Sequence, residues 1–236
     1  MNSAMEEKLA VANDLREKEQ YGEAAKIYTE CLMELVKIND PEGLIHCLGG
    51  QSLIYKILSR QSRDRTYKNL TLSFAAEAYR IGIENSHTID GRVLSIAYSS
   101  YGDALLMDGR FPEAFPLFQK SLEVSTAGVP EKGRLKAHIG GIKYVLGRKE
   151  EGIKEIEEAL SDIRTGDMET YAIRVWETGA LNGLAKIYAL EGQKEKAAQI
   201  ITESLQIALD HKLTIREREA QEIQAKISSG SKDFSL

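Results

Sequence analysis

The residue types that most often carry acid–base, nucleophilic or metal chemistry are few and scattered in this chain. Its four histidines are His46, His87, His138 and His211. None belongs to a His-Glu-x-x-His pair, the spacing that sets two imidazoles one helical turn apart over a zinc ion. The two cysteines, Cys31 and Cys47, form no Cys-x-x-Cys ligand pair. They lie on apolar stretches, where an unpaired cysteine behaves as a small hydrophobe. No glycine-rich loop follows a strand pattern in the manner of a phosphate cradle. Two charge runs stand out instead: Arg60, Arg63, Arg65 and Lys68 close together, and Glu150 to Glu169 with eight acids against two bases. Both read as solvated tips or faces, although the first could meet an anionic partner and the second could steer a basic one. The expectation is a chain with no catalytic residue, no metal and no cofactor, and not an enzyme.

Composition narrows the class further. Hydrophobic residues make up 42% of the 236 and charged residues 28%, with a net charge of −5. That is a globular chain with a buried core, not a disordered one. Mild acidity argues against a nucleic-acid partner, which calls for a basic excess. No stretch approaches the roughly 18 apolar residues of a membrane span. The first residues show no basic segment followed by an apolar run, so no secretory leader is visible. A cytoplasmic protein that engages neither nucleic acid nor membrane is expected. Only four prolines occur, Pro41, Pro112, Pro116 and Pro130, as a long helical chain requires when each interior proline costs about 3 kcal/mol.

The elements that would position any site show up as a repeat. A small residue recurs twelve positions after another: Ala12 and Ala24, Gly102 and Ala114, Gly140 and Gly152, Ala185 and Ala197. The first of each pair sits in an apolar frame, such as Tyr98, Tyr101 and Leu105, or Leu181, Leu184 and Tyr188. Four residues after the second comes a bulky one: Tyr28, Phe118, Ile156 and Ile201. Between the halves lie Gly109, Gly147 and Gly192, suited to ending a helix in the left-handed conformation. Apolar residues spaced by three and four give each half one buried stripe. Helix–turn–helix units follow, with small residues where two backbones cross. A less regular unit fits between, with Gly50 and Ala75 separated by thirteen extra residues.

These residues resemble the tetratricopeptide repeat family, whose pattern sets aromatic, leucine, glycine and tyrosine in the first helix and alanine and phenylalanine in the second. Tyr98, Tyr101, Gly102, Leu105, Ala114 and Phe118 match best, and the resemblance runs from about Met5 to Leu209. It departs in period, 38 from Gly102 to Gly140 against the family's 34, and in lacking a closing proline. The longer period is similar to repeats of kinesin light chain and of bacterial quorum-sensing regulators that bind short peptides. The resemblance implies an all-α, right-handed α-α superhelix of about five helix pairs plus a C-terminal capping helix. It also implies that the first helices line a groove for a peptide or helix of another protein. Carried over position by position, the groove residues one past each small anchor are Asn13, Gln51, Asp103 and Lys186, with Gly141 breaking the ladder. Beside them stand Arg16, Tyr55, Ser99, Ser100, Arg134, His138, Tyr144 and Asn182. The alternative for each is a solvated polar residue on a helix face. The family's clamp for the C-terminal carboxylate of chaperones needs lysine, asparagine and arginine at set places. Asn13 meets one, but Leu9, Leu48, Ile96 and Ser100 hold the others, so no chaperone tail is expected to bind.

The repeats are expected near 5–38, 43–86, 91–127, 131–164 and 168–211, with a capping helix over 214–227 and a flexible tail over 228–236. One domain over 1–227 results. Ser3-x-x-Glu6 and Thr214-x-x-Glu217 have the form of capping boxes. Two further functional readings remain: a structural subunit of a homo-oligomer or larger assembly, and a peptide-sensing regulator. The regulator reading lacks the N-terminal effector segment usual in that group, because the repeats begin at once.

Overall fold

The computed structural model describes residues 3–62 and 64–234, so Arg63 of the basic run lies outside the described residues. Eleven helices and no strand run through those residues, as five pairs and a final single helix. By internal packing the chain divides into two compact units, Met1–Thr126 and Ala127–Leu236, where the sequence leads one to expect a single domain over 1–227. The first unit holds α1 (Ser3–Glu17), α2 (Tyr21–Ile38), α3 (Pro41–Ser62), α4 (Arg65–Glu84), α5 (Gly91–Met107) and α6 (Phe111–Val124). The second holds α7 (Val129–Val145), α8 (Lys149–Ile163), α9 (Tyr171–Leu190), α10 (Lys194–Asp210) and α11 (Thr214–Ser228). Within the first unit each helix packs on its predecessor, and in addition α3 packs on α5 and α1 touches α3. Within the second, α7 also packs on α9, and α9 on α11.

Local chemistry fixes the helix ends. Asp64 and Asp90 accept hydrogen bonds from the backbone N–H groups of Thr66 (2.7 Å) and Arg92 (2.8 Å), capping α4 and α5. Pro112 and Pro130 occupy first-turn positions of α6 and α7, where the missing N–H has no intrahelical partner to lose. Seven helix ends share one geometry. Each places one residue at positive φ: Glu19 (61°), Asn39 (52°), Gly109 (74°), Gly147 (89°), Gly192 (78°), Lys212 (54°) and Gly230 (71°). The next N–H then reaches back across the turn, as Arg110 N does to Leu105 O (2.9 Å) and Leu213 N to Ala208 O (2.8 Å). This is the Schellman closure, which satisfies carbonyls the helix end leaves open. Thr214 does not cap α11. Leu213 takes that place, 1% exposed, with no side-chain cap bond. The turn at Lys212 delivers a leucine to the core there, and apolar burial displaces the capping box.

The small residues do what their spacing suggests. A Cβ on Gly102 would lie 2.8 Å from the Phe118 ring, and one on Gly140 would lie 2.7 Å from the carbonyl oxygen of Gly152. Ala12, Ala24, Ala114, Ala185 and Ala197 are fully buried. The thirteen extra residues of the second pair lengthen α3 and α4 to 22 and 20 residues, which puts the basic run at the tip of their hairpin. Within the segment expected to be a flexible tail, Phe234 packs against the core of the second unit under Lys226, 5.9 Å from its ring centroid.

Candidate partner-binding surface

The first helices of neighbouring pairs lie against one another within each unit, and the sequence-predicted groove residues all sit on them. The structure sorts those residues into two groups. Asn13 is exposed and accepts from the Tyr28 hydroxyl (2.7 Å) and from Arg16 Nη1 (3.0 Å). Arg16 also holds Glu17 (2.8 Å), so the end of α1 is one polar network. On α5, Asp103 pairs with Lys56 of α3 at 2.9 Å, both half-buried. Ser100 faces Gly49 of α3, with its Oγ 3.5 Å from where a Cβ would stand. That is an ordinary van der Waals distance, and the serine hydroxyl stands at the seam of α5 and α3. In the second unit Arg134 and His138 on α7 and Lys186 on α9 are half-exposed.

Five expected groove residues are placed otherwise. Gln51 is 2% exposed. It turns into α2, where its Nε2 donates to Ala25 O (2.8 Å) and Thr29 Oγ1 (2.9 Å). Asn182, 4% exposed, turns the same way in its own pair and accepts from Ser204 Oγ (2.7 Å). Gln51 Oε1 and Asn182 Nδ2 are buried with no partner among the described residues. Ser99 is buried and bonds back to Ile96 O. Tyr55, half-buried, stacks on Tyr67 (6.0 Å) and Phe74 (5.6 Å) of α4. Tyr144 is buried, with its hydroxyl donating to Glu191 (2.6 Å). Burial, and after it this carboxylate, push the Tyr144 phenol up. Lys149 (2.8 Å) and Tyr144 in turn hold Glu191 below the usual carboxylate value. The common reason is angular. Spacing assigns a residue to a helix, but the neighbouring second helix or turn decides which flank of it is covered.

Residues that sequence reasoning missed are the cross-helix charge partners. Lys56 sits opposite Asp103, and Lys143 makes a short ion pair with Glu155 on α8. The Lys56 pair joins non-consecutive helices, so no local spacing announces it. Arg164 and Arg174 clamp Glu177, whose carboxylate is 3% exposed, at 2.7 and 3.0 Å. That cluster ties α9 to the end of α8. Its buried member, Glu177, belongs to the architecture, while Arg164 reaches the surface and pairs there with Glu203. Among the described residues no group of three or more His, Cys, Asp or Glu side chains could hold a metal ion. No described helix is long and apolar enough to cross a membrane.

No protein-family model matches the sequence, and no curated protein matches it. Solved structures do. BtubC (BKLC) from P. vanneervenii gives a TM-score of 0.54 at 17% identity, over 97% of this chain and 91% of that one. Two structures of a Podosopora anserina protein described as a kinesin light chain with nearly identical TPR-like repeats give 0.46 and 0.45. Both are 12% identical, over 75% of this chain and 92% of theirs. The likeness to BtubC is one of fold, and it agrees with the helix order above: an all-helical array of helix pairs.

Proposed function

We propose that this chain is a non-catalytic, cytoplasmic scaffold that holds a peptide or helix of another protein against its first helices. The observation that carries the reading is the side-by-side packing of α3 on α5, and of α7 on α9. It gathers polar, half-exposed side chains from successive repeats into rows. Asn13, Arg16, Ser100 and Asp103 serve the first unit, and His138 and Lys186 the second. Such a row reads a partner by complementary hydrogen bonds and charge while the stacked helices keep it preorganised. The Lys56–Asp103 pair offers a cation and an anion to an incoming chain of either sign. Leu9, Leu48 and Ile96 supply no cation for a chaperone's terminal carboxylate, so such tails are not ligands. Nucleic acid is not a partner of a chain with net charge −5.

A pull-down with Asn13→Ala, Asp103→Ala and Lys186→Ala tests the reading. Loss of a bound protein at unchanged helicity supports it, and undiminished capture by all three variants refutes it. A second reading, self-assembly, draws on Met33 and Val36, which are 63% and 65% exposed on α2. Light scattering decides it, since a monomer at high concentration removes that reading.

A further inference from the structure

Cys31 on α2 and Cys47 on α3 are both fully buried in the core cluster built on α1, α2 and α3. The turn joining α2 to α3 centres on Asn39, which sits at φ 52°. Residues placed symmetrically about it meet across the two helices. Four residues either side, Leu35 meets Gly43, where an added Cβ would lie 2.6 Å from Leu35 Cδ2. Eleven residues either side, the Tyr28 ring occupies the space a Cβ on Gly50 would need. Cys31 and Cys47 stand eight residues either side of Asn39, so the two glycine contacts bracket them in the same register. Both contacts require close helix backbones, and the two buried cysteines fall between them along the same helix–helix contact. Their acidities agree, since each thiol carries the influence of the other's side chain.

We infer that Cys31 and Cys47 are a modification site: a peroxide converts the facing thiols to a disulfide that staples the first helix pair to the second. The balance is simple. The Cys31 sulfur attacks one oxygen of hydrogen peroxide, the O–O bond breaks, and water leaves, giving a sulfenic acid. The Cys47 sulfur then attacks the Cys31 sulfur. Hydroxide departs, takes the Cys47 proton and leaves as a second water. Two thiols lose two electrons and two protons, and one peroxide becomes two waters. Cys31 is the better attacking sulfur. Burial raises the Cys31 thiol, with Lys8 opposing, whereas burial first, and then Cys31 itself, push Cys47 up to about 12. Since both sulfurs are buried, the reaction waits on local opening of α1, which covers the cluster with buried Met5, Leu9 and Ala12 and partly buried Leu15.

The test is peroxide treatment of the folded full-length protein followed by trypsin and mass spectrometry. Trypsin cuts after Lys26, Lys37 and Lys56, so the disulfide joins peptides 27–37 and 38–56, with the loss of two hydrogens. Met33, 63% exposed in the first peptide, reports the peroxide dose by its own oxidation. The expected result is the linked pair, absent in Cys31→Ser and Cys47→Ser and dissolved by dithiothreitol. Leu9→Ala, which loosens α1, should speed its formation severalfold. The idea is overturned by unmodified thiols at doses that fully oxidise Met33. Sulfinic acid at either cysteine without a link, or linkage only between two molecules, overturns it equally.

Discussion

Adjacent glycines on α7 give the sharpest test of the packing. At Gly140 an added methyl would lie 2.6 Å from Ile156 Cγ1, 2.7 Å from Gly152 O and 3.1 Å from Ile156 N. Two of the three are backbone atoms of α8 and cannot swing aside. At Gly141, one position on, the same methyl meets nothing within 4 Å. Alanine in place of glycine adds up to about 1 kcal/mol of helix stability at either site. Overpacking at Gly140 costs about 3 kcal/mol, the upper end for a rigid neighbour. The net expectations are a loss of about 2 kcal/mol for Gly140→Ala and a gain of about 0.5–1 kcal/mol for Gly141→Ala. The single tryptophan, Trp176, packs against the core of the same unit, so its fluorescence in a urea titration reads that unit directly. With slopes of about 1–3 kcal/mol per molar urea, the midpoint should fall by about 1 M in the first variant and rise by a few tenths in the second. Gly140→Ala at or above the parent's midpoint would refute the account of how α7 meets α8, as would Gly141→Ala being equally harmful.

Other outcomes follow from single contacts. Lys212→Gly should raise stability by about 0.5–1 kcal/mol, because lysine there bears the left-handed conformation that glycine adopts freely; Gly109→Ala should lower it by about 1 kcal/mol, both read by urea unfolding. The buried Tyr144 phenol is raised above its ordinary value of 10.0, so its contribution is intact below pH 10 and lost as pH climbs through the higher folded value. Tyr144→Phe should therefore flatten the alkaline loss of Trp176-monitored stability, and an unchanged pH profile would contradict the burial of that hydroxyl. A peptide ending in the acidic chaperone motif should give no heat in calorimetry. Micromolar binding would overturn the reading of Leu9, Leu48 and Ile96.

Helix pairing was legible because crossing points demand small residues. Gly140 against Gly152 wrote its contact into a spacing of twelve, and Gly102 under Phe118 into the bulky residue four beyond its own twelve-residue partner, Ala114. Turns were legible where glycine marked positive φ, and hidden at Glu19 and Lys212, where the Schellman bonds hold a residue with a Cβ in the same conformation. The binding face was harder to see. Asn13 and Asp103 sit one past their anchors and keep access to solvent. Gln51, at the same offset, is drawn into α2 by Ala25 and Thr29. Tyr55 looks like a free aromatic, yet Tyr67 and Phe74 of the lengthened hairpin stack on it and leave it half-buried. Those choices depend on which neighbour helix lies within reach, a property of tertiary packing that no periodicity encodes.

A photo-activated crosslinker placed at Ser100, on the seam of α3 and α5, asks the central question most directly, with the same group at exposed Glu123 on α6 as control. Irradiation in cells should join a partner protein through position 100 and not through 123. A partner captured at 123 and never at 100 would contradict the claim that the first helices are the binding wall.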